Sequence, residues 1–89
     1  MKESYLEVTF RHGRPFAAYY YLPREAGDKS ARCRRIEPGM VVDYSVDGLP
    51  IGIEITAPTK LSLADFNRVL QDLGLPEATD DDLAPLHAA

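Results

Sequence analysis

The chain has 89 residues, a formal net charge of −4, 45% hydrophobic residues and 27% charged residues. This balance is typical of one small globular domain with a single core, and it excludes a disordered chain. No apolar run approaches the roughly 20 residues that a membrane-spanning helix needs, so we expect no membrane partner. The single cysteine, Cys33, cannot form an internal disulfide, and the N-terminus lacks the apolar segment of a secretion signal. Both features predict a cytoplasmic location.

The charge is divided unevenly along the chain. Residues 1–45 carry 8 basic and 6 acidic side chains, for +2, whereas residues 46–89 carry 2 basic and 8 acidic side chains, for −6. A protein that is acidic overall is a weak candidate for nucleic-acid binding, because the phosphate backbone attracts basic surfaces.

Two strands are predicted before residue 23. Residues 5–11 alternate apolar and polar side chains, which indicates a half-buried strand. Residues 15–22 are rich in aromatic side chains, which favour strands. The register of this hairpin stays open, because a three-residue loop would pair Phe10 with Phe16 and a two-residue loop would pair Phe10 with Ala17.

A short third strand is predicted over residues 32–37, after a polar connection at 23–31. The Pro-Gly pair at 38–39 then predicts a tight turn into the next strand.

The strongest pattern is a hairpin over residues 40–55 that turns at Asp47-Gly48. This register places four apolar pairs on one face: Val46–Leu49, Tyr44–Ile51, Val42–Ile53 and Met40–Ile55. The other face carries Ser45–Pro50, Asp43–Gly52 and Val41–Glu54. Pro50 fits a strand only where its other side is locally unpaired, because proline has no N–H to donate.

One main helix is predicted at about residues 62–73. Ser62 is a suitable N-cap with Asp65 three residues later, and apolar residues then recur at helical spacing. Gly74 fits the left-handed position that ends a helix. Thr79 starts a second, acidic turn, which Pro85 keeps short.

We therefore expect a single α+β domain over residues 1–89. It consists of an antiparallel sheet of four to five strands over about residues 5–56, with the amphipathic helix packed on one face. Residues 77–89 are expected to form an acidic C-terminal tail.

The central hairpin resembles a known family. Residues 38–44 read Pro-Gly-Met-Val-Val-Asp-Tyr, and residues 52–55 read Gly-Ile-Glu-Ile after the Asp47-Gly48 turn. With the aromatic strand, they are similar to the YuzE-type small bacterial domain of unknown function over about residues 5–57, although Ala17 stands where that family often has an acidic residue. The resemblance implies a small α+β fold in the bacterial cytoplasm, with no established activity. By analogy it also implies an antitoxin-like or partner-binding role.

The first candidate site is polar and consists of Asp43, Glu54 and His12. Asp43 and Glu54 are expected on diagonal positions of one hairpin face, with Cβ atoms about 7 Å apart. Two such carboxylates can hold a metal or divide acid and base roles in a small enzyme. The alternative is a solvated outer face, which is usual for antiparallel sheets.

The second candidate surface combines arginine and aromatic residues: Arg32, Arg34, Arg35, Tyr19 and Tyr21. Tyr20 must point to the opposite side of its strand from its two neighbours. Basic and aromatic residues together can bind single-stranded nucleic acid or dock an acidic partner, and a solvated surface is the third interpretation.

No phosphate-binding loop, zinc-ligand pair or nucleophile elbow occurs in the sequence, so no catalytic residue and no cofactor is predicted. The leading hypothesis is a non-catalytic protein-interaction module that binds a protein partner or forms a homodimer. The alternatives are a metal- or ligand-binding enzyme and nucleic-acid binding through the arginines.

Overall fold

A computed structural model describes residues 3–23, 27, 29–36 and 39–87 of the chain. Its main feature is a five-stranded antiparallel sheet in the order β1-β2-β5-β4-β3. The strands are β1 (Tyr5–Arg11), β2 (Arg14–Tyr21), β3 (Arg32–Ile36), β4 (Met40–Tyr44) and β5 (Pro50–Ile55). The helices are α1 (Leu63–Asp72) and α2 (Asp80–Leu83), with 3-10 segments at Pro58–Lys60 and Ala84–His87. The α+β class is confirmed, and residues 37 and 38 of the predicted third strand and turn lie outside the described residues.

The first hairpin follows neither predicted register at its tip. His12 and Gly13 both have positive φ, 53° and 77°, so two residues form the turn. A bulge then pairs Phe10 with Pro15. On the side of the bulge away from the turn, from Thr9–Ala17 to Tyr5–Tyr21, the strands pair in the register predicted for a three-residue loop.

The predicted register of the central hairpin is correct from Met40–Ile55 to Asp43–Gly52 and is shifted near the turn. Asp43 pairs with Gly52 as predicted, but a bulge makes Tyr44 pair with Pro50 instead of Ile51. The turn spans three residues, since the Ser45 amide donates to the Leu49 carbonyl at 2.8 Å and Gly48 has a φ of +83°. Val46 and Leu49 are therefore exposed by 84% and 61%, and their predicted place on the apolar face is wrong.

The surroundings of Pro50 agree with the sequence argument. On the β2 side, pairing of β5 ends at Gly52, opposite Tyr21, so Pro50 lies beyond the last ladder pair. The missing N–H of the proline therefore interrupts no pair with β2.

Helix α1 covers the inner face of the sheet. Phe66 is completely buried and meets the Tyr20 ring edge-on at 4.9 Å. The Ser62 hydroxyl accepts from the Asp65 amide at 3.0 Å, which is the predicted N-cap. The Leu75 amide donates to the Leu70 carbonyl at 2.9 Å after the left-handed Gly74, which is the predicted helix ending. These contacts confirm the helix to within a residue at each end.

The acidic C-terminal segment is part of the core rather than a loose tail. Ala78, Leu83 and Leu86 are buried in the same apolar cluster as the sheet and α1. Thr79 and Asp82 form a reciprocal capping box that starts α2, with bonds of 2.8 Å and 3.2 Å. The acidic side chains of this segment point outward while its apolar side chains close one end of the core.

The stability of the fold at alkaline pH depends on the protonation of the Tyr20 phenol. Burial raises the pKa of the Tyr20 phenol above its ordinary value of 10.0; a hydrogen bond with Ser4 opposes this rise, and the negative charge of Asp82 adds to it. The folded state thus holds this proton more tightly than the unfolded state. Its contribution to stability is complete below pH 10.0 and is lost as the pH rises through the raised pKa.

We expect Tyr20→Phe to weaken the decline of the unfolding free energy above about pH 10. The measurement is urea denaturation at a series of alkaline pH values, with Tyr5→Phe as the control because Tyr5 is 47% exposed. Equal alkaline slopes for wild type and Tyr20→Phe would contradict this assignment.

Candidate functional site

The face of the sheet opposite the helices is the candidate functional surface. We call it the open face. Its residues are half-buried or exposed, apart from the buried Gly52. From β1 across to β3 it includes Tyr5, Glu7, Tyr19, Tyr21, Gly52, Glu54, Val41, Asp43, Cys33 and Arg35, as the strand register and the alternation of side chains place them.

A tyrosine crosses the middle of the open face. Tyr19 lies on β2, and its hydroxyl donates to Asp43 Oδ2 on β4 at 2.7 Å, so the side chain spans the intervening strand β5. It passes directly over Gly52, where any added Cβ would overlap the Tyr19 ring and hydroxyl. The close approach of the Tyr19 side chain therefore explains why residue 52 is a glycine. A glycine inside a strand, opposite an aspartate, was the only sequence signal for this crossing.

We expect Gly52→Ala to destabilise the domain by about 1–2 kcal/mol, because the Tyr19 ring must swing away and lose its bond to Asp43. In a Tyr19→Ala background the same change should be neutral or stabilising, because alanine suits a strand better than glycine once the ring is gone. Tyr5→Ala serves as the control background, in which the cost should persist. Chemical denaturation of wild type and Gly52→Ala, and of each tyrosine background with and without Gly52→Ala, measures the coupling. Equal costs of Gly52→Ala in all backgrounds would contradict the steric assignment.

The other tyrosines extend this arrangement toward β1. Tyr21 stacks on Tyr5 with ring centroids 4.5 Å apart and meets Tyr19 edge-on at 4.7 Å. Its hydroxyl donates to Glu7 Oε1 at 3.1 Å. Tyr19 and Tyr21 lie on the open face and Tyr20 is buried in the core. This confirms the prediction that Tyr20 points to the opposite side of β2 from its two neighbours.

Only two of the three residues of the predicted polar site, Asp43 and Glu54, lie near each other in the structure. Asp43 and Glu54 occupy diagonal positions as expected, because Asp43 faces Gly52 and Glu54 faces Val41. Asp43 is engaged by Tyr19, whereas Glu54 is exposed. His12 lies in the β1–β2 turn, beyond the part of β2 that pairs with β5. Among the described residues no group of three His, Cys, Asp or Glu side chains could hold a metal ion.

The arginines lie on β3, which is an edge strand of the sheet. Residues 32–35 are all exposed. Arg34 pairs with Val42 and Arg35 with Val41, so these two side chains point to opposite faces of the sheet. The strand that carries Tyr19 and Tyr21 lies three strands away, or about 14 Å at the usual strand spacing, and Tyr19 extends from it as far as Asp43 on β4. The arginines and the aromatic residues therefore do not interleave.

Comparison of the chain with protein-family models, curated proteins and solved structures found no match. Within the described part of the chain, no helix has the length and apolar character needed to cross a membrane.

Proposed function

We propose that the protein is a non-catalytic interaction module that binds another protein chain through the outer surfaces of its sheet. The observation that carries this proposal is the tyrosine cluster of the open face, built from Tyr5, Tyr19 and Tyr21 on the side away from the helices. Tyrosine offers a large amphipathic contact area that is already ordered, and with arginine it is enriched among the residues that dominate binding energy at interfaces.

The contacts of this cluster favour binding over chemistry. The Tyr19 and Tyr21 hydroxyls each donate to a carboxylate, which fixes the rings in place before a partner arrives. Fixed side chains lose less conformational entropy on association. Around the tyrosine cluster the open face carries three carboxylates, Glu7, Asp43 and Glu54, which makes this part of it a poor platform for a phosphate backbone.

The resemblance to the YuzE-type domain directs the proposal toward an antitoxin-like binder in a bacterial cytoplasm. A homodimer is the other form of the same proposal, because a domain of 89 residues has a small core that an interface can supplement. Both forms require another protein chain as the ligand, and neither requires a cofactor.

Affinity recovery of partners from a lysate of the native host, at low and at high salt, tests this function. We expect one protein to be recovered at both salt concentrations, or light scattering to give a dimer mass. A strictly monomeric chain that recovers no protein would overturn the proposal. Nucleic acid recovered only at low salt would instead favour binding through Arg32, Arg34 and Arg35.

A further inference from the structure

We infer that β3 accepts an acidic, extended segment of a partner protein as a sixth strand of the sheet. This inference rests on the proposed function and names one surface and the chemistry of its ligand. Strand addition of this kind takes its affinity from main-chain hydrogen bonds and its specificity from the flanking side chains.

The two edges of the sheet differ in how they are covered. At the β1 edge, α2 and the 3-10 segment Ala84–His87 both contact the strand. At the other edge, residues 32–35 are all exposed. Every second residue of an edge strand directs its N–H and C=O away from the sheet, so β3 presents a row of main-chain donors and acceptors.

The charge on β3 selects an acidic ligand. Within the described residues, no carboxylate lies within ion-pairing distance of Arg32, Arg34 or Arg35. Arg32 and Arg34 project to one face of the sheet and Arg35 to the other, according to the register with β4. A strand added beside β3 would therefore meet positive charge on both of its faces, and opposite charges stabilise neighbouring strands.

The same charges make a second copy of this chain an unsuitable occupant. Antiparallel pairing of β3 with itself would bring six arginines together, which is unfavourable. The acidic run Asp80–Asp82 of another copy is held in the capped helix α2 and is not extended. The fitting ligand is thus an extended segment of a different protein, in which alternate residues are acidic and lie beside Arg32 and Arg34.

The direct test uses the synthetic peptide Glu-Val-Glu-Val-Glu, acetylated and amidated, with backbone amide NMR of the intact chain as the readout. We expect shift changes and slowed amide exchange centred on Arg32–Ile36. Replacing the glutamates by glutamine, or N-methylating alternate peptide amides, should each weaken binding at least about tenfold.

A matched pair of protein variants distinguishes binding at the β3 edge from a general effect of the net charge of the protein. Arg32→Glu/Arg34→Glu should abolish peptide binding, whereas Lys60→Glu/Arg68→Glu changes the net charge equally at exposed positions away from the sheet edge and should retain it. Absence of binding at millimolar peptide, or shifts centred on the tyrosine cluster, would overturn the inference. So would binding that is indifferent to N-methylation, because charge attraction without strand pairing would then suffice.

Failure here is distinguishable from failure of the proposed function. If the Arg32→Glu/Arg34→Glu variant still recovers the same host protein as wild type, the interaction module stands and β3 is not its binding edge. If wild type recovers no protein and is monomeric, the proposed function itself has failed.

Discussion

Phe66→Ala is expected to lower the free energy of unfolding by about 3–5 kcal/mol, the usual cost of removing a fully buried phenylalanine. Phe66 has no exposed surface and lies at the contact between α1 and the sheet, with its ring edge-on to Tyr20. Truncation leaves a cavity and removes the aromatic pair, and a domain of this size has little stability to spare. Urea denaturation followed by circular dichroism measures the loss.

Phe16→Ala is the matched control for this prediction. Phe16 is 53% exposed near the tip of the first hairpin, where its ring lies under the Arg11 guanidinium at 4.6 Å. The same chemical deletion there should cost less than about 1 kcal/mol. Comparable losses for both variants would contradict the assignment of Phe66 to the centre of the core.

Asn67→Ala is expected to destabilise the domain by about 2–3 kcal/mol. The Asn67 side chain donates to the Ala78 carbonyl at 3.1 Å and accepts from the Ala78 amide at 2.7 Å, and all three groups are buried. Alanine at this position leaves both main-chain groups of Ala78 without their partner. Since this pair of bonds holds the C-terminal segment against α1, exchange of the Ala78 amide should accelerate well before global unfolding.

The control for Asn67 lies one turn further along α1. The exposed Gln71 amide donates to Glu77 Oε1 at 3.1 Å, so it reaches the same segment without a buried bond. Gln71→Ala should change stability by less than about 0.5 kcal/mol. An Asn67→Ala protein with wild-type exchange at Ala78 would refute the anchoring role.

Local patterns account for what the sequence predicts correctly. Helix α1 could be placed because both of its ends depend on local contacts. Its start depends on Ser62 and Asp65, three residues apart, and its ending on Gly74, which lets the Leu75 amide reach the Leu70 carbonyl. The lower half of the central hairpin could be placed because strict alternation allows one register only, and Asp43 opposite Gly52 follows from it.

The remaining features depend on contacts between segments distant in sequence. Nothing in β2 indicates that it pairs with β5, and without that pairing the reach of Tyr19 to Asp43, 24 residues away, is invisible. The bulge beside Tyr44 is one extra residue that alternation cannot locate. The burial of Leu83 and Leu86 is not indicated by the sequence, in which three aspartates come directly before Leu83.

The most direct test of the open face compares two variants in partner recovery from host lysate. Tyr5→Ser/Tyr21→Ser removes the exposed stack of the tyrosine cluster, and Phe10→Ser/Phe16→Ser removes an equal number of exposed aromatic rings at the hairpin tip. With both variants shown to be folded by circular dichroism, we expect the tyrosine variant to lose the protein that wild type recovers and the phenylalanine variant to retain it. Recovery of the same protein by the tyrosine variant, at wild-type yield, would contradict binding through the open face.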